Sequence, residues 1–210
     1  MEYMLTSLKE AMHVISSCLL IPTVVILLLF LAWTVIELGG LVVEFFYERR
    51  GEKPHLPKLI NFFQGKNAEE ISGEIEHSSL LRRQKKALGV LIDHSKLPPA
   101  SLRALARRLL AGEEMHYLRI TNRTDLVVRL GPMFGLMGTL IPLGPGMIAL
   151  GQGNTKLLAD SLLIAFDTTI SGLAVAGVAF AISRLRKRWY EDHLSVLEML
   201  LEGLLEVFDR

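Results

Sequence analysis

An aspartate lies deep inside a long apolar segment, where carboxyl groups are rare. Asp167 stands in the run Leu157–Ile182, whose other acid, Asp160, lies near its start. A charged carboxylate at the centre of a membrane costs at least ~2.5–3.5 kcal/mol, so we expect Asp167 to be protonated, paired or beside water. Desolvation favours the protonated form, which suits a reversible proton acceptor. The chemistry indicated is proton transfer.

A serine extends this pattern along the same helix. Asp160 precedes Asp167 by seven residues and Ser171 follows it by four, so a helix places all three on one face. One hypothesis is a polar track for ions. The other is that Asp167 hydrogen-bonds a neighbouring subunit while Asp160 caps the helix just after the preceding turn.

Three threonines and several small residues accompany the acids. Ala165, Thr169, Gly172 and Ala176 step by four, three and four, which makes one small-residue stripe. Such stripes allow close helix packing in lipid, and we assign this role to a set of four residues, namely Gly135, Gly138, Gly172 and Ala176. The hydroxyl of Thr169 either faces a pore or bonds back to a carbonyl one turn earlier.

The chain contains three long apolar segments, and two of them carry the polar and small residues described above. Leu130–Leu150 and Leu157–Ile182 can each cross a bilayer, because ~20 residues at ~1.5 Å rise span its hydrocarbon core. Only Gly151–Lys156 joins them, which predicts an antiparallel hairpin. Val14–Ile36 is predicted to be a retained transmembrane helix, since its apolar core is too long for a signal peptide and no small-x-small cleavage site follows. The expected fold is an all-α integral membrane protein.

The remaining chain is predicted to extend these helices. We divide it into a lead-in with the first transmembrane helix (1–47), a helical loop (48–129), the hairpin (130–182) and a C-terminal helix (183–210). The loop opens with a proline-containing linker, Gly51–Leu59. Helical patterns follow at Ala68–Gly89 and Ser101–Asp125, with Pro99 near the first turn of the second.

The distribution of positive charge predicts the orientation. The long loop, Glu48–Arg129, holds sixteen of the 23 lysines and arginines, the tail holds five, and only Lys9 and Lys156 lie on the other side. By the positive-inside rule, the loop and C-terminus are cytoplasmic, and the N-terminus and hairpin turn are outside. The expected location is the inner (plasma) membrane.

Several function classes are disfavoured. The net charge is +1 and the basic residues flank apolar segments or alternate with acids, so nucleic acid is not an expected partner. A single cysteine, Cys18, allows no intramolecular disulfide. The histidines lack ligand spacing, and no nucleotide loop or nucleophile–base pair is present. We expect no metal, no cofactor and no enzymatic activity.

The hairpin carries two motifs. Residues 131–140 read GPMFGLMGTL, and residues 165–182 read AFDTTISGLAVAGVAFAI. The first resembles the second-helix pattern of the MotA/TolQ/ExbB proton-channel family, a proline followed by Gly-Leu-x-Gly-Thr. The second is similar to that family's third-helix pattern, Ala-Leu-x-x-Thr-x-x-Gly-Leu. The similarity is closest to the ExbB/TolQ branch.

This resemblance implies a pentamer whose second and third helices line a central pore. The pore would hold the single transmembrane helices of a partner resembling ExbD, TolR or MotB, whose membrane aspartate carries the proton. The family's pore-lining threonines fall on Thr139 and Thr169. We add Asp160, Asp167, Thr168 and Ser171 as candidates for the proton pathway.

The chain also departs from the family pattern. The glutamate usual in the ExbB branch falls on Ile164, Asp167 and Thr168 occupy positions that are usually apolar or small, and the second helix contains Pro142 and Pro145. One alternative function is a membrane scaffold that oligomerises without conducting. Another is a small-solute channel that works without a partner. The sequence does not distinguish H⁺ from Na⁺ as the coupling ion.

Overall fold

The computed structural model describes residues 2–50, 59, 62–63 and 66–208, and no strand occurs among them. The helices bounded within these residues are α1 (Glu2–Cys18), α2 (Leu20–Arg50), α3 (Ala68–His77), α4 (Arg82–Asp93), α5 (Pro99–Gly151) and α6 (Thr155–Phe208). Three stretches are long and apolar enough to cross a membrane, namely Glu10–Phe46, Pro99–Gly151 and Thr155–Phe208. The predicted all-helical architecture with three membrane-spanning helices is confirmed to this extent. The predicted linker, Gly51–Leu59, lies outside the described residues except for Leu59, which is helical and buried.

The first apolar segment contains a helix break. α1 ends at Cys18, Leu19 forms a turn, and α2 begins at Leu20. Pro22 explains this position, because it has no amide hydrogen to donate to the Cys18 carbonyl and its ring crowds that carbonyl. The run Val14–Ile36 is therefore divided between two helices.

The chain forms two compact units, and the first comprises residues 1–42 and 122–184. Its centre is a glycine-lined contact between α5 and α6, which we call the seam. A Cβ placed on Gly172 would lie 2.7 Å from the carbonyl oxygen of Gly131 and 2.8 Å from the Cα of Gly135. A Cβ on Gly138 would lie 2.6 Å from the Thr168 side chain. Only glycine allows the two backbones to approach this closely.

The α2 helix packs along one side of this hairpin. The rings of Phe30 and Phe134 meet edge to face, with centroids 5.9 Å apart. Phe30 also packs against a small buried cluster formed by Val127, Val175 and Ala179. One side of the hairpin is therefore covered by α2.

The hairpin turn contains three residues, Gln152–Asn154, instead of the predicted six. Gly153 has a φ of 75°, and the amides of Gly153 and Asn154 donate to the carbonyls of Leu150 and Ala149, which is a Schellman ending of α5. Asn154 then caps α6, because its Oδ1 accepts the amide of Leu157 at 3.1 Å. The proposed capping role of Asp160 is wrong, since α6 begins five residues before it.

The second unit comprises residues 43–121 and 185–210. The predicted helical pattern over Ala68–Gly89 is divided into α3 and α4. Ser78 ends α3 by donating its hydroxyl to the Ile75 carbonyl at 2.6 Å, a local bond that competes with helix continuation. The apolar faces of α3, α4, α5 and α6 enclose one core, which includes Ile71, Ile75, Leu88, Leu91, Leu102, Leu197, Leu200 and Leu204.

A buried ionic group also stabilises the second unit. The Arg186 Nε donates to Glu44 Oε2 at 3.2 Å, and the Tyr190 hydroxyl donates to Glu44 Oε1 at 3.3 Å. Tyr190 stacks on Tyr117 with centroids 4.4 Å apart. Burial, together with the negative charge of Glu44, raises the pKa of Tyr190 well above its ordinary value. Residues at the end of α2 are thereby tied to α6.

We expect Gly172→Ala to destabilise the hairpin by about 1–3 kcal/mol, because the added methyl group must displace backbone atoms of α5. Gly177→Ala is the matched control, since nothing lies within 4 Å of a Cβ at that position of the same helix. Thermal unfolding in detergent or nanodiscs should show a lower midpoint for Gly172→Ala and an unchanged or higher one for Gly177→Ala. Equal midpoints would contradict the close seam.

Tyr190 predicts a stability change at alkaline pH. Because its pKa is higher in the folded than in the unfolded protein, its contribution is complete below pH of about 10 and decreases as the pH rises further. Relative to Tyr190→Phe, the wild-type protein should lose thermal stability above this pH. The measurement is the difference in unfolding midpoint between the two proteins from pH 8 to 12. A constant difference would show that Tyr190 is not selectively held neutral.

Candidate functional site

Thr139 and Thr169 lie one residue beyond a contact of the seam. Gly138 packs against Thr168, so the next residue along each helix lies within about one turn of the same level. Both threonines are half-buried. The Thr139 hydroxyl donates to the Leu136 carbonyl at 2.7 Å, and the Thr169 hydroxyl donates to the Ala165 carbonyl at 3.1 Å. Each oxygen keeps the capacity to accept a hydrogen bond from outside its helix.

The two threonines lie on the same side of the hairpin, opposite α2. Around α5, Phe134 lies about 100° from Gly135 on the α2 side, whereas Thr139 lies about 40° on the other side. Around α6, Val175 lies about 60° from Gly172 on the α2 side, and Thr169 about 60° on the other. We call this side of the hairpin the threonine edge.

Thr168 occupies a different place, inside the seam. It is buried against Gly138, and its hydroxyl donates to the carbonyls of Ile164 and Ala165 at 2.9 and 3.0 Å. This satisfies the hydroxyl within its own helix while its methyl group fills the contact. The geometry supports a packing role for Thr168.

The acids lie on a third side. Asp160 and Asp167 are exposed and Ser171 is half-buried, and a helix places all three within about 40° of one another. Asp167 points about 160° away from Thr169 around α6, beyond Val175 on the α2 side. One subunit therefore cannot present both Asp167 and Thr169 to the same lumen.

The packing residues all lie at the seam. Gly135 and Gly172 are in backbone contact, and a Cβ on Gly131 would lie 3.3 Å from the Cβ of Ala176. Within the described ranges, no group of three or more His, Cys, Asp or Glu side chains is arranged to hold a metal ion. The arrangement offers hydroxyl oxygens on one edge, carboxyl groups on another side and a tight contact between them.

Sequence reasoning did not single out two polar contacts. One is the pair of Arg186 with Glu44, although the interruption of an apolar burst by Glu44 was a signal. The other is the hydroxyl of Ser183, which donates to Asp125 Oδ1 at 2.5 Å. Asp125 lies two heptads before Thr139, a helical spacing that could have indicated a common edge.

Spin labels should separate the two sides of α6. With Cys18 replaced by alanine, labels are placed one at a time on Thr139→Cys, Thr169→Cys, Asp167→Cys and Ser171→Cys in membranes. For each label we compare its collision rate with oxygen to its collision rate with a water-soluble nickel chelate. We expect this ratio to be similar at Thr139→Cys and Thr169→Cys, and similar at Asp167→Cys and Ser171→Cys. The ratio should differ between these two pairs. The same ratio at Thr169→Cys and Asp167→Cys would contradict the geometry.

Comparison with known proteins identifies a family match that covers the hairpin and part of the second unit. Residues 68–199 match the sequence profile of the MotA/TolQ/ExbB proton channel family. The biopolymer transport protein exbB1 of Vibrio cholerae is 30% identical over 142 residues, which are 65% of this chain and 62% of the relative. The chain thus covers less than two thirds of that relative's length. With the profile matching more than half of its residues, the chain belongs to the MotA/TolQ/ExbB proton channel family and is ExbB-like.

Proposed function

We propose that this chain is the proton-conducting subunit of an ExbB/TolQ-type membrane motor. Five copies would surround a central pore that holds the single-pass helices of an ExbD-, TolR- or MotB-like partner. The proton gradient would drive movement of that partner. No catalysis by the chain is part of this proposal.

The observation that carries the proposal is the threonine edge. Two antiparallel helices contribute one hydroxyl each at the same level, on the side that α2 leaves uncovered. Around these hydroxyls the exposed surface of the hairpin is mostly apolar, with Leu136, Leu140 and Leu173 among the exposed residues. A narrow polar strip on an apolar hairpin suits a lumen shared by several copies, where a protonated partner aspartate could donate to a threonine oxygen.

The side of α6 that carries Asp160, Asp167 and Ser171, which we call the acidic side, has a different role in this proposal. Because Asp167 points away from the threonine edge, we assign the Asp160–Asp167–Ser171 side to contact with a neighbouring subunit. A carboxyl group in the apolar layer needs such a polar partner or water. This choice between the two hypotheses for Asp167 removes it from the lumen.

The proposed orientation follows the positive-inside bias. The N-terminus and the hairpin turn would lie outside the inner membrane, and the long loop and C-terminus in the cytoplasm. Arg129, Arg184 and Arg188 would then lie near the cytoplasmic membrane surface. Protons would move along the threonine edge from the turn toward residues 122–130.

Proton flux into liposomes containing the chain and its single-pass partner tests the function. Thr169→Val should lower the flux by about tenfold while leaving the complex intact, because the loss of one transition-state hydrogen bond is worth up to about 1.4 kcal/mol. Thr23→Val is the matched control, since that buried hydroxyl donates to the carbonyl of Leu19, four residues earlier, and lies outside the hairpin. The flux is followed with an internal pH dye under an imposed potential.

The rival functions give different results in the same assay. An assembled wild-type complex without flux would favour the scaffold. Flux of small solutes from the chain alone would favour the solute channel. Replacing the proton gradient by a sodium gradient identifies the coupling ion. Equal flux for Thr169→Val and Thr23→Val would remove Thr169 from the path.

A further inference from the structure

One buried hydroxyl differs from the others of its kind. Thr23, Thr34, Thr121, Ser161 and Thr168 are buried, and each donates its hydroxyl to a carbonyl three or four residues earlier in the chain. Thr124 is 1% exposed, and its Oγ1 has no hydrogen-bond partner among the described protein atoms. A buried polar group is rarely left without a partner in a native protein, and an ordered water commonly supplies one.

Two further polar residues, Asp125 and Ser183, lie at about the level of Thr124 along the hairpin. The register of the seam pairs Gly131 with Ala176 and Gly135 with Gly172, so Thr124 falls at the level of Ser183. The next residue, Asp125, accepts the Ser183 hydroxyl at 2.5 Å. Thr124 and Ser183 are buried and Asp125 is half-buried, so the polar residues at this level range from the interior to the surface.

This polar group lies on the threonine edge. Asp125 precedes Thr139 by fourteen residues, and Ser183 follows Thr169 by fourteen, which in a helix leaves each pair within about 40° of the same direction. Fourteen residues correspond to about 21 Å along the helix. Asp125 and Ser183 therefore lie on the side that carries the two threonines, about four turns from them and away from the hairpin turn.

We propose that Thr124, Asp125 and Ser183 bind one water molecule and form the inner end of the proton path. The water site follows from the buried hydroxyl, while the transport role rests on the proposed channel function. A hydroxyl and a carboxylate can both accept a hydrogen bond from such a water, and the Thr124 hydroxyl can also donate one.

After one proton has passed, the hydroxyl groups of Thr124 and Ser183 each carry one hydrogen again, as they did before the transfer. A proton arriving on the water leaves from it to the Ser183 oxygen, while the original hydroxyl proton of Ser183 moves to Asp125 Oδ1. The carboxylic acid of Asp125 then releases this proton to bulk water, and rotation of the Ser183 hydroxyl restores the starting arrangement. Thr124 acts as a positioning residue, because it holds the water without carrying the proton.

Two variants and a matched control test the site. Thr124→Val keeps the side-chain shape and removes the hydroxyl, and it should lower proton flux in the liposome assay by about tenfold without loss of assembly. Asp125→Asn cannot take up the proton and should lower flux at least as much. Thr23→Val removes an equally buried hydroxyl that is bonded to the Leu19 carbonyl, and it should leave flux unchanged. Thr124→Ser should restore the flux.

A structural measurement separates this proposal from the channel function. An experimental structure at a resolution that shows ordered waters should have one within hydrogen-bond distance of Thr124 Oγ1, and Thr124→Val should lack it. Absence of this water in the wild-type protein overturns the site. Flux through Thr124→Val equal to that of Thr23→Val overturns the relay. A wild-type complex without any flux overturns the channel function and the relay, while the water density still decides the site.

Discussion

The closeness of the α5 and α6 backbones determines the rest of the first unit. Helices in lipid gain no hydrophobic driving force from association, so their contact depends on van der Waals packing at small residues. At Gly135 and Gly172 this packing brings backbone against backbone, which leaves no room for a side chain. The hydroxyls inside the seam, on Ser161 and Thr168, bond to carbonyls of their own helix. The hydroxyl groups at its edge are therefore the more accessible ones.

Neighbouring residues on one helix take different roles because of this contact. Asp167, Thr168 and Thr169 follow one another in sequence, yet they point to the acidic side, the seam and the threonine edge. A turn of about 100° per residue separates them. The direction of each is set by where Gly138 and Gly172 meet the other helix. Polarity alone is therefore a poor guide to which residue of a polar cluster lines a lumen.

The sequence was sufficient to predict much of the architecture. Apolar length predicted three membrane-spanning helices, and the small residues of the hairpin predicted the packing set Gly135, Gly138, Gly172 and Ala176, which the structure places at the seam. It could not distinguish Thr168 from Thr169, since that depends on the rotation of one helix against another. It also misassigned the α6 cap, because α5 and α6 extend closer to each other than hydropathy indicated, which leaves Asn154 in the cap position. Arg186 and Glu44 are 142 residues apart, and no local pattern links them.

The three-residue hairpin turn limits how the protein can be reached from that side of the membrane. Gln152–Asn154 leave almost no loop between two long helices, and the backbone hydrogen bonds of Gly153 and Asn154 hold the turn in one conformation. A soluble protein, antibody or protease on that side finds little surface on the hairpin to recognise. The N-terminal helix α1 offers more exposed side chains than the turn, among them Tyr3, Met4 and Leu8. A tag or binding epitope is accordingly better placed before α1 than in the turn.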